Sequence, residues 1–520
     1  MSGGEHTETT PYYVTTPIYY VNDNPHIGHV YTTLACDVLA RFMRLDGRRV
    51  KFLTGTDEHG QKVERSARAR GMDPQAFTDS ISQNFRKLSN AWDFSNDDFI
   101  RTTEDRHVRA CKDLWRRLAD AGQIYLDKYA GWYAVRDEAF HGEDELTTGA
   151  DGNKYAPSGA QVDWVEEPSY FFRLSAWQDR LLEFYEANPD FIGPEARRNE
   201  VMSFVRGGLR DLSVSRTTFA WGIPVPDDPD HIMYVWLDAL TNYLTAVGYP
   251  DTNAEEYRAF WPANLHMVGK DILRFHAVYW PAFLLAAGIE PPHRVYAHGW
   301  WTVEGQKMSK SLGNVIDPYT PVDTYGLDQT RYFMLREVPF GNDGDFSHRA
   351  MVNRINNDLA NDFGNLAQRS LSMIYKNCGG AIPGPDAYTE ADRAMLDSVD
   401  GLLARIRPEI ERQAFNRALE AIWDVVAQAN RYVDEMAPWA LRKTDTVRMG
   451  TVLYVLAEVV RQLAIITQPF MTKGPAALLD QIQQPQDARD FAALATRLEP
   501  DRAIRKPQGV FPRYVESEGL

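Results

Sequence analysis

Tyr12 to Thr16 is a short run of aromatic and β-branched residues, Val50 to Thr54 is another, and one long stretch of helical periodicity separates them. Val30, Leu34, Val38, Phe42 and Leu45 recur on one face of a helix predicted over His26 to Leu45, with Asp46-Gly47 as its stop. Strand, helix, strand in that order returns to a parallel sheet through a right-handed crossover. This fixes a geometry before any further residue is read. The turn-rich Asn22-Asp23-Asn24-Pro25 and the start of the helix must lie beside the carboxyl end of the first strand. In open parallel sheets nucleotides bind at that edge, against the oriented N–H groups of a helix N-terminus.

The residues placed there are Pro25-His26-Ile27-Gly28-His29. Gly28 lets a base or phosphate approach the backbone. His26 and His29 can donate to phosphate oxygens, and the helix end adds partial positive charge. More than half the chain later comes Lys307-Met308-Ser309-Lys310-Ser311, after a hairpin or loop at Thr302 to Gln306 and before the breaker Leu312-Gly313-Asn314. Two lysines on a glycine-flanked loop suit an anion clamp. Taken singly, the first word also reads as a chance histidine pair and the second as a solvated basic loop. Together, in this order on an α/β chain, they point to triphosphate chemistry.

The expected fold class is a Rossmann-like parallel-sheet catalytic domain split by an insertion and followed by an all-α helix bundle. Residues 1–116 form its first half. Residues 117–231, which mix short strands with Gly, Asp and Pro, form the insertion. Residues 232–290 form the second half, with Tyr234 to Asp238 and Leu265 to Gly269 read as core strands. Residues 291–349 carry the lysine loop. From 350 to 520 the pattern is helical: Phe415, Leu419, Ile422, Val426 and Ala429 keep helical spacing, as do Val452, Val455, Val459 and Leu463.

Composition removes several function classes. The chain of 520 residues carries a net charge of −16, which argues against indiscriminate nucleic-acid binding. Local basic faces stay open at Arg197, Arg198, Arg206, Arg210 and Arg216, and at Arg502, Arg505, Lys506 and Arg513; each also reads as solvated surface. The most apolar stretch, Ala277 to Ile289, contains Pro281 and is too short to span a bilayer. The polar N-terminus lacks the pattern of a signal peptide. Only three cysteines occur, Cys36, Cys111 and Cys378, too far apart for a zinc knuckle or a disulfide framework. No membrane partner and a cytoplasmic location are expected.

H-I-G-H and K-M-S-K-S are both present letter for letter, and in them the chain resembles a class I aminoacyl-tRNA synthetase. Over essentially its full length it is similar to the methionyl-tRNA synthetases. The match runs through Thr16-Pro17-Ile18-Tyr19-Tyr20-Val21-Asn22, Gly55-Thr56-Asp57-Glu58-His59-Gly60, Val235-Trp236-Leu237-Asp238-Ala239, Gly269-Lys270-Asp271-Ile272, Phe275-His276 and Trp280-Pro281-Ala282. The resemblance implies ligation of methionine to initiator and elongator methionine tRNA through a methionyl-adenylate, with ATP bringing its own Mg²⁺. It assigns catalysis to His26, His29, Lys307 and Lys310. It assigns ATP binding to Gly28, Gly269, Asp271, Lys307, Met308 and Lys310. Asp57 would pair with the methionine ammonium. Ile18, Tyr20, Trp236, Ala239, Leu240, Tyr243, Ile272, His276 and Trp280 would line the thioether pocket. Residues 291–349 would touch the tRNA stem, and Asn361, Asn365, Arg369 and Trp439 the anticodon.

By residue type alone, Trp236, Tyr243 and Trp280 suit an ordinary aromatic core. Asp271 suits a helix cap, and Asn361, Asn365 and Arg369 suit a polar helix face. Where many family members carry Cys-x-x-Cys pairs in the insertion, this chain has Ala134 with Asp137 and Ala156 with Gly159. No structural zinc is therefore expected. The chain ends soon after the bundle, without the appended dimerising domain of some members, so a monomer is expected. Three alternatives carry part of the same pattern. They are a small H-x-G-H nucleotidyltransferase, a leucine, valine or isoleucine enzyme of the class, and an inactive tRNA-binding paralogue. The long helical region, the modest insertion and the intact His26, His29, Lys307 and Lys310 count against them in turn.

Overall fold

The computed structural model describes residues 10–21, 24–137, 139–308 and 315–516. The chain opens with β1 (Pro11–Thr15), β2 (Tyr19–Tyr20), α1 (Ile27–Leu45) and β3 (Arg49–Asp57). β1 and β3 pair in parallel from Pro11↔Arg49 to Thr15↔Leu53. Next come β4 (Asp98–Arg101) and α2 (Asp105–Asp120). The insertion is built on a long antiparallel pair, β5 (Ile124–Ala134) and β6 (Asp163–Phe172). The sheet then resumes with β7 (Ile192–Gly193), α3 (Val235–Thr245), β8 (Leu265–Gly269) and β9 (Val295–His298).

The seven-stranded sheet runs β7-β9-β8-β1-β3, with both β2 and β4 on β3. Thr56 pairs with Tyr19 and with Arg101, so β2 continues the β1 edge and β4 takes the other. Every pairing in it is parallel. From β1 the chain builds outward through β3 on one side and through β8 and β9 on the other. The carboxyl ends of β1 and β8 therefore open the crevice where strand order reverses.

Tyr234 to Asp238 is not a strand. Tyr234 is the extended N-cap of α3, and ten residues of that helix are buried. A short apolar run does not separate a core strand from a helix buried all round; the continuation through Leu240, Tyr243 and Leu244 decides it here. The stretch read as most apolar consists of a π turn, Phe275–Tyr279, and the helix Trp280–Ala286. Pro281 sits in that helix's first turn, where a missing N–H costs nothing. Among the described residues a different helix, Thr446–Thr467, is the one long and apolar enough to cross a membrane. It is buried along its length inside the bundle, so its apolar girth is that of a core helix.

One face of the sheet packs on α2, α3 and the Trp280 helix. The other packs on α1, and that core continues without a break into the C-terminal bundle. Phe42 of α1 meets Phe491 edge to face at 4.9 Å. α1 is thus shared between the sheet and the bundle.

Candidate active site

His26 caps α1. Its Nδ1 accepts from the backbone N–H of Gly28 at 3.1 Å, and His29 Nδ1 accepts from the backbone N–H of His26 at 3.1 Å. The two rings stack with centroids 3.8 Å apart. A Cβ on Gly28 would lie 2.9 Å from His26 Cε1, so the space left by the glycine first admits the folded-back His26 ring. Because both Nδ1 atoms are acceptors, each neutral ring carries its proton on Nε2. Burial, then the neighbouring His26, pushes the His29 pKa well below the usual histidine range. The pair is an uncharged double donor at a helix N-terminus.

Across the crevice, His298 at the end of β9 meets Thr32 of α1, Nε2 to Oγ1 at 2.7 Å. β8 ends at Gly269, where a Cβ would lie 2.5 Å from Asp271 Oδ1. Asp271 is exposed and accepts from Trp300 Nε1 at 3.2 Å. Lys270 lies over the Trp300 ring at 4.3 Å and pairs with Asp343 at 2.7 Å. The hairpin Trp301–Val303/Gln306–Lys307 turns through Glu304 and Gly305, both at positive φ. Met308 is half-buried and packs on the core that α1 shares with the bundle. Ser309, Lys310, Ser311 and the Lys307 side chain lie outside the described residues.

Asp57 ends β3, and β2 sets Tyr20 opposite it. Facing them, α3 presents half-buried Trp236 and buried Ala239, Leu240 and Tyr243. Trp236 stacks on Phe275 at 3.8 Å and 8°. His276 Nδ1 lies 3.0 Å from the carbonyl of Ile272 and so must donate to it. Nε2 is then an acceptor, and the Tyr243 hydroxyl 2.7 Å away donates to it. Burial lowers the His276 pKa to about 4, so the ring is neutral near pH 7. Ile18 and Ile272 are half-buried beside this group. Trp280 is different: it has no exposed surface, and its Nε1 donates to His266 Nε2 at 3.3 Å. It backs Tyr243 from inside the core.

Residues 12–371 match the family model of class I tRNA synthetases of the methionine type, and residues 382–519 match the anticodon binding domain of methionyl tRNA ligase. The chain belongs to the methionyl-tRNA synthetases. It is 58% identical over 510 residues to the methionine–tRNA ligase of Mesorhizobium japonicum, covering 98% of each chain. The Mycobacterium leprae ligase is 54% identical, with 98% and 96% covered. The structure of Mycobacterium tuberculosis methionyl-tRNA synthetase in complex with methionyl-adenylate superposes with a TM-score of 0.95 at 55% identity, covering 97% of this chain and 100% of that one. The apo form of that enzyme gives 0.90 at 51% identity, with 99% and 100% covered. The enzyme is a methionine–tRNA ligase, and the nucleotidyltransferase and paralogue alternatives fall.

In this synthetase Asn361 lies in a π-helical stretch, Arg354–Gly364, and Asn365 and Arg369 in the helix Asn365–Asn377 that continues it. Asn365 is exposed, and the other two are half-buried. Arg369 reaches Asp434 at 3.5 Å, and Asn361 accepts from Arg513. Trp439 is 44% exposed on the short helix Pro438–Thr444. In the insertion, Ala134 and Ala156 are buried in a small apolar cluster with Ala160 and Val162. Asp137 accepts from Ser158, and Gly159 turns at positive φ. One of the four knuckle positions offers a donor, which does not fit a zinc site.

Sequence reading missed four residues around the pocket. Trp221, from the insertion, donates through Nε1 to the Glu58 carbonyl at 2.6 Å. His59, His107 and Asp238 form a buried cluster behind Asp57. His59 and Asp238 both lie in the quoted family motifs, and that was the available signal.

Proposed function

We propose that the crevice holds ATP along His26, His29 and the lysine loop and methionine between Asp57 and the Tyr243–His276 pair, and joins them as methionyl-adenylate. The supporting observation is the cap at the start of α1, where His26 Nδ1 takes the Gly28 N–H and His29 Nδ1 the His26 N–H, so that Nε2 is the donor on each ring at a helix N-terminus. A related enzyme was solved with methionyl-adenylate. The methionine carboxylate attacks the α-phosphorus and pyrophosphate leaves. His26, His29, Lys307 and Lys310 offset the charge that builds on the phosphates. Gly28, Gly269, Asp271 and Met308 seat the nucleoside, with Mg²⁺ arriving on ATP. A hydroxyl of the terminal tRNA ribose then attacks the acyl carbon and AMP leaves.

The thioether lies among Ile18, Tyr20, Trp236, Ala239, Leu240 and Ile272, where contacts to aromatic rings favour sulfur. Asn361, Asn365, Arg369 and Trp439 read the anticodon of initiator and elongator methionine tRNA. The enzyme acts as a cytoplasmic monomer without structural zinc, in keeping with its three free cysteines and the apolar knuckle positions. ATP–pyrophosphate exchange with each amino acid in turn tests the reading. Exchange restricted to methionine supports it, and exchange with another amino acid, or none, defeats it. Metal analysis showing stoichiometric zinc would overturn the zinc statement.

A further inference from the structure

Asp238 lies in the first turn of α3 with no exposed surface. Its Oδ2 accepts from His59 Nδ1 at 2.6 Å and its Oδ1 from His107 Nε2 at 2.8 Å. These three residues come from three elements. His59 is two residues beyond Asp57 in the loop after β3. His107 is on α2, and its Nδ1 faces Thr245 Oγ1 at 3.1 Å. Asp238 and Thr245 are two turns apart on one face of α3, so His107 grips the pocket helix at both ends. Trp221 holds the other side of the loop: its indole donates to the Glu58 carbonyl, its own carbonyl accepts from Gly60 N–H at 3.0 Å, and its ring meets His59 edge-on at 5.6 Å.

We infer that Asp238 is a positioning residue that sets the separation between the ammonium-binding loop carrying Asp57 and the thioether-binding face of α3. The inference rests on the reading of the pocket given above. A buried carboxylate is a poor way to hold a core together, because apolar packing of equal volume stabilises at least as well. Directed hydrogen bonds to two other elements supply what apolar packing lacks, a fixed register. Burial opposes ionisation of Asp238, but the charge interaction with His59 and the hydrogen bonds from both histidines outweigh it and hold its pKa at about 2. The cluster also brings the donor atoms of His107, Cys111 and Asp238 within 4.8 Å of one another. The 2.8 Å N···O contact in it has hydrogen-bond length.

Methionine touches both the loop and the helix, so an error in their separation penalises ligands that span both. The test uses the full chain as wild type, Asp238→Asn, His59→Phe and His59→Asn, the last keeping a donor near the Nδ1 position. Methionine-dependent pyrophosphate exchange gives KM for methionine and for ATP. Inhibition constants are measured for two probes: methioninol, which keeps ammonium and thioether, and 4-(methylthio)butanoate, which lacks the ammonium. Asp238→Asn and His59→Phe should raise KM for methionine and weaken methioninol on the order of 10- to 100-fold, the scale of a misplacement near 1 Å. KM for ATP and binding of the desamino probe should stay unchanged, and His59→Asn should restore most of the loss. Equal weakening of both probes, a parallel rise in KM for ATP, or no change in methionine KM overturns the inference. If Asp238→Asn does not fold, the His59 pair carries the test. A wild-type chain inactive with methionine would instead defeat the reading of the pocket.

Discussion

Arg331 Nη2 donates to Asp37 Oδ2 at 2.7 Å with both side chains wholly buried. Arg331 also donates to the carbonyls of Phe470, Pro469 and Trp92. Asp37 accepts in addition from Ser95 and Arg41. Asp37 is in the middle of α1, so the helix that presents His26 and His29 is fastened to the helix Leu327–Arg336 and to the Pro469–Phe470 turn of the bundle. Removing one partner strands a buried charge. Arg331→Met should lower unfolding free energy by about 3–5 kcal/mol, and Asp37→Leu combined with Arg331→Met should lose less than the sum of the two single changes. Urea unfolding of the four proteins measures this; additive losses would show that the two residues act independently.

Lys310 follows the Gln306–Lys307 strand by three residues in sequence, and the Thr302↔Lys307 pairing fixes where that strand ends. Burial favours the neutral form of His26 and His29, so on the proposed reading the positive charge at the phosphates comes from the lysines. Lys310→Ala should slow adenylate formation by about 10²-fold or more, the scale for losing one transition-state donor. Near-normal pyrophosphate exchange in this variant would remove Lys310 from the chemistry.

Burial holds His276 at about 4 and His266 well below the usual histidine range. The unfolded chain therefore binds more protons than the folded chain between those values and about 6.5, so stability rises with pH across that window. The contribution is complete above about pH 6.5 and is lost on acidification toward pH 4. His276→Gln should flatten part of this slope. Urea midpoints taken at several pH values, with an unchanged slope in the variant, would contradict the assignment.

The βαβ start and the switch-point crevice are legible because β1 and β3 are short, mostly buried aromatic and β-branched runs and α1 between them keeps a period of about 3.6. Tyr234 to Asp238 differs because a run of four apolar residues, Tyr234 to Leu237, fits a core strand and a buried helix equally well. The contact of the His26 ring with the space at Gly28 depends on a side-chain rotamer, which the sequence does not show. The motif that carries Trp280 does not reveal its partner, His266, which takes the indole N–H within the core. The His59–Asp238–His107 cluster joins residues with no common spacing, and only the folded sheet brings them together.

Trp439 stands 44% exposed at the start of a short helix, after Ala437 has turned the chain through a left-handed conformation at φ 42°. A stacking platform for an unpaired base needs an open ring face, which this exposure leaves. Trp439 lies in the stretch matched by the anticodon domain, residues 382–519, far along the chain from the crevice residues. Trp439→Ala should therefore leave methionine-dependent pyrophosphate exchange intact. Loss of one stacking contact, about 1–3 kcal/mol, should lower kcat/KM for tRNA charging roughly 10- to 100-fold. Trp439→Phe, which keeps a stacking face, should recover a large part of that. Equal loss of exchange and charging in Trp439→Ala would make the residue a support for the bundle instead of a reader of the anticodon.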